Sequence, residues 1–219
     1  MNTRYGVSKP TEDDIRKGGF STPWDAPMIP PFPFAFRNAE VMSVYWRTDP
    51  DAMAFLLPPP LEPVGDVVCA HIYKMNDTDW LGPYSEANVM IAARLGNRIG
   101  AYSPYLVLSS DIGVAPELTC RGDLMVGTVE RNGIDVLTGT LPYKQRRIAD
   151  DGLAPYFDFT TNLNLKAVDH IDGQPAIRQL TSRKLSDVQV HEAWIGPCTV
   201  ELRPNAQLPV FRLPVLEPL

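Results

Sequence analysis

The chain has 219 residues, a length that suits one domain with a sizeable hydrophobic core. Its formal net charge of −6 argues against a surface that binds nucleic acid or an anionic membrane. The sequence has neither an apolar run of the roughly 18 residues that a membrane span needs nor the apolar stretch of a signal peptide, so we expect a soluble cytoplasmic protein.

The distribution of the 22 prolines indicates how the chain is divided into an arm and a domain. They concentrate at residues 23–33, 58–63 and 204–218, where a fixed φ and a missing N–H group favour extended connectors. We therefore expect residues 1–35 to form an extended N-terminal arm that wraps the surface or a neighbouring subunit. Residues 36–219 are expected to form the domain.

The first half of that domain is predicted to consist mainly of strands. Residues 38–48 and 65–75 are rich in β-branched and aromatic side chains, which favour strands. Between them, Asp49 is suited to cap a helix, Pro50 fits its first position and Pro58 ends it.

Further along the chain, strands are predicted at residues 84–95 and 101–110, followed by a short helix at 111–118. Residues 123–144 predict a β-hairpin, because Asn132-Gly133 supplies the positive φ angles of a type I′ turn.

The last third of the chain predicts two or three strands, within residues 157–168 and 176–196, around a turn at Asp172-Gly173. Helix is sparse throughout. A mostly antiparallel sheet that closes into a barrel or cone is therefore expected, because closure removes the exposed edges of so many strands.

A set of short motifs resembles the acetoacetate decarboxylase family. The motifs follow the family's order over residues 20–215: "VYWRTDPDA", "LLPPPLEP", "NDTDWLGPYSE", "LMVGT", "PYK", "NLNLK…DGQPAI" and "KLSDVQVHEAWIGP". The resemblance implies an α+β, predominantly β fold with few short helices, centred on a closed antiparallel β-cone or barrel. It also implies a homo-oligomer whose site lies inside the cone and takes a small keto-acid-like substrate; no cofactor is expected.

The same resemblance implies that the family's nucleophile is missing. Members of the family use a lysine of lowered pKa, in a "PKK" loop, to form a Schiff base with a β-keto acid. Here residues 117–123 read "ELTCRGD", with no lysine and a shorter connection. Ala39 replaces a family arginine, and the chain ends at Leu219 without the family's C-terminal extension. Of two carboxylates that line the cavity, one is replaced by His71 and the other is retained as Glu86.

Glu86 and His71 are therefore the candidate catalytic residues. A histidine–glutamate pair within hydrogen-bond reach would hold one imidazole tautomer and raise its basicity. Strand alternation places Tyr73 on the same face as His71, where it is a candidate substrate-binding donor. The alternatives are a salt-bridged Glu86 and a core role for His71 and Tyr73.

Arg121, in the shortened corner, is the second candidate for substrate binding, because a guanidinium pairs with a carboxylate through two hydrogen bonds. A solvated loop arginine is the alternative. Lys74 alternates with Tyr73 along the predicted strand, so its side chain is expected to point away from the cavity. Lys144, Lys166 and Lys184 are interpreted as structural or surface residues. The spacing of the cysteines and histidines supports no metal site.

These residues predict an enzyme that acts on a small enolisable keto or β-dicarbonyl acid without an imine. Glu86 and His71 would move the proton, and isomerisation, dehydration, cyclisation or hydrolysis would suit them. Two alternatives remain open: a non-catalytic member that binds a small molecule, and a true decarboxylase (a lyase) with a different electrophile.

Overall fold

The structure is a computed structural model, and it describes residues 10–17, 33–149 and 161–219. Strands predominate in these residues, as the sequence predicts. No helix in the described part of the chain has both the length and the apolar character needed to span a membrane. The elements are α1 (Glu12–Lys17), β1 (Phe36–Arg37), β2 (Glu40–Arg47), α2 (Pro50–Leu56), β3 (Glu62–Met75), β4 (Asp77–Thr78), β5 (Tyr84–Leu95), β6 (Arg98–Leu108), β7 (Val114–Arg121), β8 (Leu124–Arg131), β9 (Ile134–Pro142), β10 (Arg146–Arg147), β11 (Thr161–Asp169), β12 (Pro175–Lys184), β13 (Trp194–Ile195), β14 (Thr199–Leu202), a 3-10 turn (Val210–Arg212) and β15 (Glu217–Pro218).

Most of the predicted N-terminal arm lies outside the described residues. Within residues 10–17, however, the chain forms helix α1 rather than an extended segment. Thr11 and Asp14 cap this helix reciprocally: the Asp14 amide donates to Thr11 Oγ1 at 3.2 Å, and the Thr11 amide donates to Asp14 Oδ2 at 2.8 Å. This capping pair explains a helix that the sequence analysis did not predict.

The predicted helix after the first long strand is confirmed. Asp49 caps α2 by accepting a hydrogen bond from the Asp51 amide at 2.8 Å, and Pro50 occupies the first helical position. The helix ends at Leu56, two residues before Pro58.

Two larger sheets form the body of the protein. The large sheet has seven strands in the order β12-β11-β6-β5-β3-β2-β15, and the small sheet has four in the order β14-β9-β8-β7. All pairs in the small sheet are antiparallel, whereas β6 and β11 pair in parallel in the large sheet. The predicted hairpin joins β8 to β9, with φ angles of 51° at Asn132 and 82° at Gly133. The fold class, predominantly β, is thus confirmed, and closure of the sheet into a cone stays a prediction.

The small sheet packs on one face of the large sheet, which we call the apolar face. Two glycines allow the close approach. A Cβ atom at Gly127 would lie 2.4 Å from Ile72 Cδ1, and one at Gly139 would lie 3.1 Å from Val44 Cγ1. The main hydrophobic core lies between the two sheets, and fully buried Trp46 belongs to it.

The prediction of a helix at residues 111–118 is wrong. Residues 109–113 form the turn between β6 and β7, and β7 then pairs with β8 from Val114↔Arg131 to Arg121↔Leu124. A complete ladder of hydrogen bonds outweighs the weak local preference for a helix. Pro116 fits because β7 lies at the edge of the small sheet, where a missing N–H group is tolerated.

Contacts along the chain divide it into two compact units. One comprises residues 1–39 and 75–84; in its described part β1 pairs with β4, and Arg37 Nη2 donates to Asp79 Oδ1 at 2.7 Å. The other comprises residues 40–74 and 85–219. It contains both larger sheets, except for Met75 at the end of β3 and Tyr84 at the start of β5.

Candidate functional site

The large sheet buries polar side chains on the face opposite the apolar face. Successive residues of a strand point to opposite faces, so on β3 Ile72 packs toward the small sheet while His71 and Tyr73 point away from it. We call this second surface the polar face. Its buried polar side chains are those of His71, Glu86, Asn88 and Asn162, and Cys69 is buried beside His71 in a cluster with Met90 and Ala101.

His71 is buried among polar and sulfur-bearing neighbours. Its Nδ1 lies 2.6 Å from the hydroxyl of Ser43, which is its cross-strand partner on β2. Its Nε2 lies 3.6 Å from Cys69 Sγ. Burial lowers the pKa of His71 to about 4, because the charged imidazolium loses its hydration. The imidazole is therefore neutral at pH 7.

Tyr73 lies beside His71, as strand alternation predicts. The two ring centroids are 5.5 Å apart and the rings are tilted by 55°. Tyr73 is half-buried, so its phenol group belongs to the edge of the polar face rather than to the core. The two predicted residues therefore form one neighbourhood.

Glu86 is buried on β5, and an arginine from a distant strand approaches it. Arg183 Nη2, on β12, lies 3.9 Å from Glu86 Oε1. The strands β6 and β11 lie between β5 and β12. In a flat sheet, the backbones of β5 and β12 would therefore be roughly 14 Å apart. Because side chains stand roughly perpendicular to a sheet, this contact indicates that the large sheet curves with its polar face inward.

A second contact across the curved sheet links Asn88 to Asn162. Asn88 Nδ2 on β5 donates to Asn162 Oδ1 on β11 at 3.2 Å, and Ser103 on β6 donates to the same oxygen at 3.2 Å. Asn88 is only 2% exposed. Its own amide oxygen has no hydrogen-bond partner within the described residues.

Arg121 lies elsewhere. It is the last residue of β7, exposed at the tip of the hairpin that joins β7 to β8 in the small sheet. The preceding strand replaces the expected helix, so Arg121 occupies a hairpin tip rather than a loop behind a helix. Cys120, its neighbour, is an exposed free thiol.

The lysines of the described residues lie on the surface. All five are exposed: Lys17, Lys74, Lys144, Lys166 and Lys184. Lys144 Nζ lies 2.6 Å from Glu192 Oε1, and this hydrogen bond raises the pKa of Lys144. A Schiff-base lysine needs the opposite shift.

Within residues 10–17, 33–149 and 161–219, no group of three or more His, Cys, Asp and Glu side chains is placed to hold a metal ion. The three cysteines are free thiols, and Cys69 is buried on the polar face. Burial raises the pKa of the Cys69 thiol, which is therefore protonated at neutral pH.

Ser43, Asn162 and Arg183 were not among the predicted site residues. For Asn162 and Arg183, however, the predicted hairpin turn already indicates that the two residues are paired. A hairpin centred on the predicted turn Asp172-Gly173 pairs residues whose numbers add up to 345, which places Asn162 opposite Arg183, as observed. The approach of Arg183 to Glu86 depends on the curvature of the whole sheet, which no local motif reports.

Known proteins resemble this chain along most of its length. The model of the family described as acetoacetate decarboxylase matches residues 20–116 and 112–219. Acetoacetate decarboxylase 1 of Bradyrhizobium diazoefficiens is 30% identical over 219 residues, which cover 94% of this chain and 87% of that protein.

Solved structures share the fold. One reported under structural studies of acetoacetate decarboxylase has a TM-score of 0.84 and 31% identity, covering 96% of this chain and 91% of that one. The enduracididine biosynthesis enzyme MppR, complexed with the condensation product of pyruvate and imidazole 4-carboxaldehyde, shares the fold at a TM-score of 0.74 and 18% identity, over 97% of this chain and 91% of that one. The resemblance that the sequence motifs indicate is confirmed: the chain belongs to the acetoacetate decarboxylase family.

Proposed function

We propose that this protein is an enzyme that moves protons on a small enolisable keto or β-dicarbonyl acid without forming a Schiff base. One observation supports it above all. The buried carboxylate of Glu86 lies next to an arginine on a concave polar face that also holds a neutral imidazole. A base, a hydrogen-bond donor and a cation are the groups that enolate chemistry requires.

Glu86 acts as the base in this proposal. The residue is only 7% exposed, so its carboxylate is positioned within the polar face rather than at the surface. It takes the proton α to the substrate carbonyl and returns it to another atom, which gives isomerisation or, with a leaving group, dehydration. A base in this position contributes typically 10²–10⁴-fold to a rate.

His71 acts through its N–H group. Because its pKa is about 4, the neutral imidazole accepts a proton poorly but can donate a hydrogen bond to the oxygen of the developing enolate. The Ser43 hydroxyl at Nδ1 holds the ring and, as a donor, favours the tautomer with the proton on Nε2. Tyr73 is proposed as a second donor, and Arg121 stays a sequence-based prediction that this mechanism does not use.

An imine mechanism finds no support among the described lysines, all of which are exposed. Decarboxylation is nevertheless the second candidate function, because the relatives are named acetoacetate decarboxylases. Borohydride reduction in the presence of acetoacetate, followed by mass spectrometry, separates the two. A substrate adduct on any lysine, including Lys9 outside the described residues, would favour the decarboxylase.

The central experiment is proton exchange in deuterium oxide. Wild-type protein is incubated with pyruvate or acetoacetate, and NMR follows the loss of the α-proton signal. We expect Glu86→Gln to reduce the exchange rate by about 10²–10⁴-fold. Glu117→Gln, which changes an exposed glutamate of the small sheet, serves as the control and keeps the rate.

Two results would contradict the proposal. If Glu86→Gln exchanges protons as fast as wild type, Glu86 is not the base. If wild-type protein binds these acids but exchanges no proton, the protein is the non-catalytic binding member of the family.

Assembly and location complete the proposal. We propose a homo-oligomer in the cytoplasm, from the family resemblance and from the composition of the chain. Sedimentation velocity checks the first, and fractionation of the source cells checks the second.

A further inference from the structure

We infer that Arg183 binds the carboxylate of the substrate beside Glu86. The identity of the substrate as a keto acid rests on the proposed function. The binding step does not require turnover, so it can be tested separately.

The hairpin of β11 and β12 fixes the position of Arg183. Arg183 is paired with Asn162 across this hairpin, and Asn162 is hydrogen-bonded to Asn88 and Ser103. Cross-strand partners point to the same face of a sheet. The backbone of Arg183 is therefore tied to the polar face at the same place as the buried asparagines.

The guanidinium of Arg183 has N–H groups available for a ligand. Its distance of 3.9 Å from Glu86 is longer than a hydrogen bond, and within the described residues it makes no hydrogen bond. Arg47 shows the contrast. That side chain is exposed to a similar degree, 47% against 50%, yet it donates to both carboxylate oxygens of Asp66 at 2.7 and 2.8 Å.

An unpartnered acceptor in the same neighbourhood also points to a ligand. The Asn88 amide oxygen is buried and has no hydrogen-bond partner within the described residues, whereas buried polar atoms in folded proteins nearly always have one. The enol hydroxyl of a keto acid supplies such a donor. A carboxylate for Arg183 and a hydroxyl for Asn88 are both present in one small enolisable acid.

The charges of this arrangement agree with a carboxylate ligand. A substrate anion next to Glu86 alone would be repelled, but a guanidinium between two carboxylates attracts both. A carboxylate bound to Arg183 would also bring the carbon α to the keto group, which carries the exchangeable proton, toward Glu86, the base in the proposed reaction. Arg121, the residue that the sequence suggested for this role, lies at an exposed hairpin tip of the small sheet.

Isothermal titration calorimetry with pyruvate tests this inference. We expect Arg183→Gln to weaken pyruvate binding by about 10- to 100-fold, the loss that follows from removing a charge-assisted hydrogen bond. Arg183→Lys, which keeps the charge but not the paired geometry, should bind with intermediate affinity. Arg203→Gln, at an arginine of similar exposure (53% against 50%) with no proposed role, is the matched control and should bind like wild type.

Pyruvamide, which lacks the negative charge, completes the design. It should bind wild type and Arg183→Gln equally well, because neither can form an ion pair with it. The inference is overturned if Arg183→Gln keeps wild-type affinity for pyruvate, if Arg203→Gln loses it, or if wild type does not prefer pyruvate to pyruvamide. Thermal unfolding of each variant shows that a loss of affinity does not come from unfolding.

The outcome separates this inference from the proposed function. If Arg183 is needed for pyruvate binding but wild type exchanges no proton, the carboxylate site stands and the enzyme proposal fails. If Glu86 is needed for exchange but Arg183→Gln binds pyruvate normally, the enzyme proposal stands and this inference fails.

Discussion

Both faces of the large sheet contain buried side chains, but the chemistry of these side chains differs between the faces. On the apolar face Val44, Trp46 and Ile72 are fully buried against the core. On the polar face His71 and Glu86 are each 7% exposed, although they lie on the same strands or on neighbouring ones. Burial alone therefore does not distinguish the residues of the apolar core from the candidate catalytic residues.

Burying an apolar side chain and burying an ionisable one have opposite effects on the free energy of folding. Burying apolar surface stabilises a fold by about 25 cal/mol per Å², whereas burying an ionisable group costs free energy unless it is paired. The lowered pKa of His71 reflects that cost. The main hydrophobic core therefore lies on the apolar face, whereas the polar face buries an imidazole and a carboxylate.

The largest effect on stability is expected from Trp46→Ala. Trp46 is fully buried on the apolar face, and its indole N–H donates to the Leu213 carbonyl at 3.1 Å. Removing a buried tryptophan costs about 3–5 kcal/mol. Urea denaturation measures the loss, and Trp80→Ala, at a tryptophan that is 85% exposed, is the control. Equal effects of the two substitutions would show that the apolar face does not dominate stability.

The second effect comes from the polar face and depends on pH. An unfolded histidine titrates near 6.5, whereas His71 in the native protein has a pKa of about 4. Below pH 6.5 the unfolded state therefore binds a proton that the native state does not. The free energy of unfolding should decrease by roughly 3 kcal/mol as the pH falls from about 7 to about 4.

His71→Gln removes this contribution, so the difference in unfolding free energy between wild type and the variant should depend on pH in that window and be constant above pH 7.5. A constant difference between pH 7 and pH 4 for His71→Gln would mean that the imidazole takes up its proton as readily in the native state as in the unfolded state.

Local features of the fold were predictable from the sequence. Asp49 caps the start of α2 and Pro50 is its first residue, so the sequence alone indicates where this helix begins. Asn132-Gly133 indicates a turn because few other residue pairs adopt its positive φ angles. Alternation along β3 placed His71 and Tyr73 together. In each case the determining interaction spans only a few residues.

The parts that failed depend on distant partners. Residues 111–118 become a turn and a strand because β8 offers a complete ladder, which the segment itself does not reveal. Arg183 meets Glu86 only because the large sheet curves across four strands. The identity of Glu86 and His71 as candidates came from family resemblance, and their roles stay proposals.

A smaller effect is expected where the two sheets touch. Gly127→Ala would place a Cβ atom 2.4 Å from Ile72 Cδ1 and 3.2 Å from Met42 Sδ, so buried side chains must move. Such overpacking typically costs about 1–3 kcal/mol. Ile72→Val removes the clashing methyl group, so the double variant should be more stable than the sum of the two single changes predicts. Strict additivity in urea denaturation would contradict this account of the contact.

The smallest effect on stability is expected from Arg183→Gln. This variant tests most directly whether the polar face differs in role from the apolar face. Arg183 is half-exposed and lies 3.9 Å from Glu86, and an ion pair of that kind contributes about 1 kcal/mol or less. Urea denaturation should therefore place Arg183→Gln within about 1 kcal/mol of wild type, even though the same change is expected to abolish most of the affinity for pyruvate. A loss of more than 2 kcal/mol would instead make Arg183 a structural residue of the hairpin. A large loss of binding with little loss of stability at Arg183 would contrast with Trp46 on the apolar face, where the expected loss is in stability.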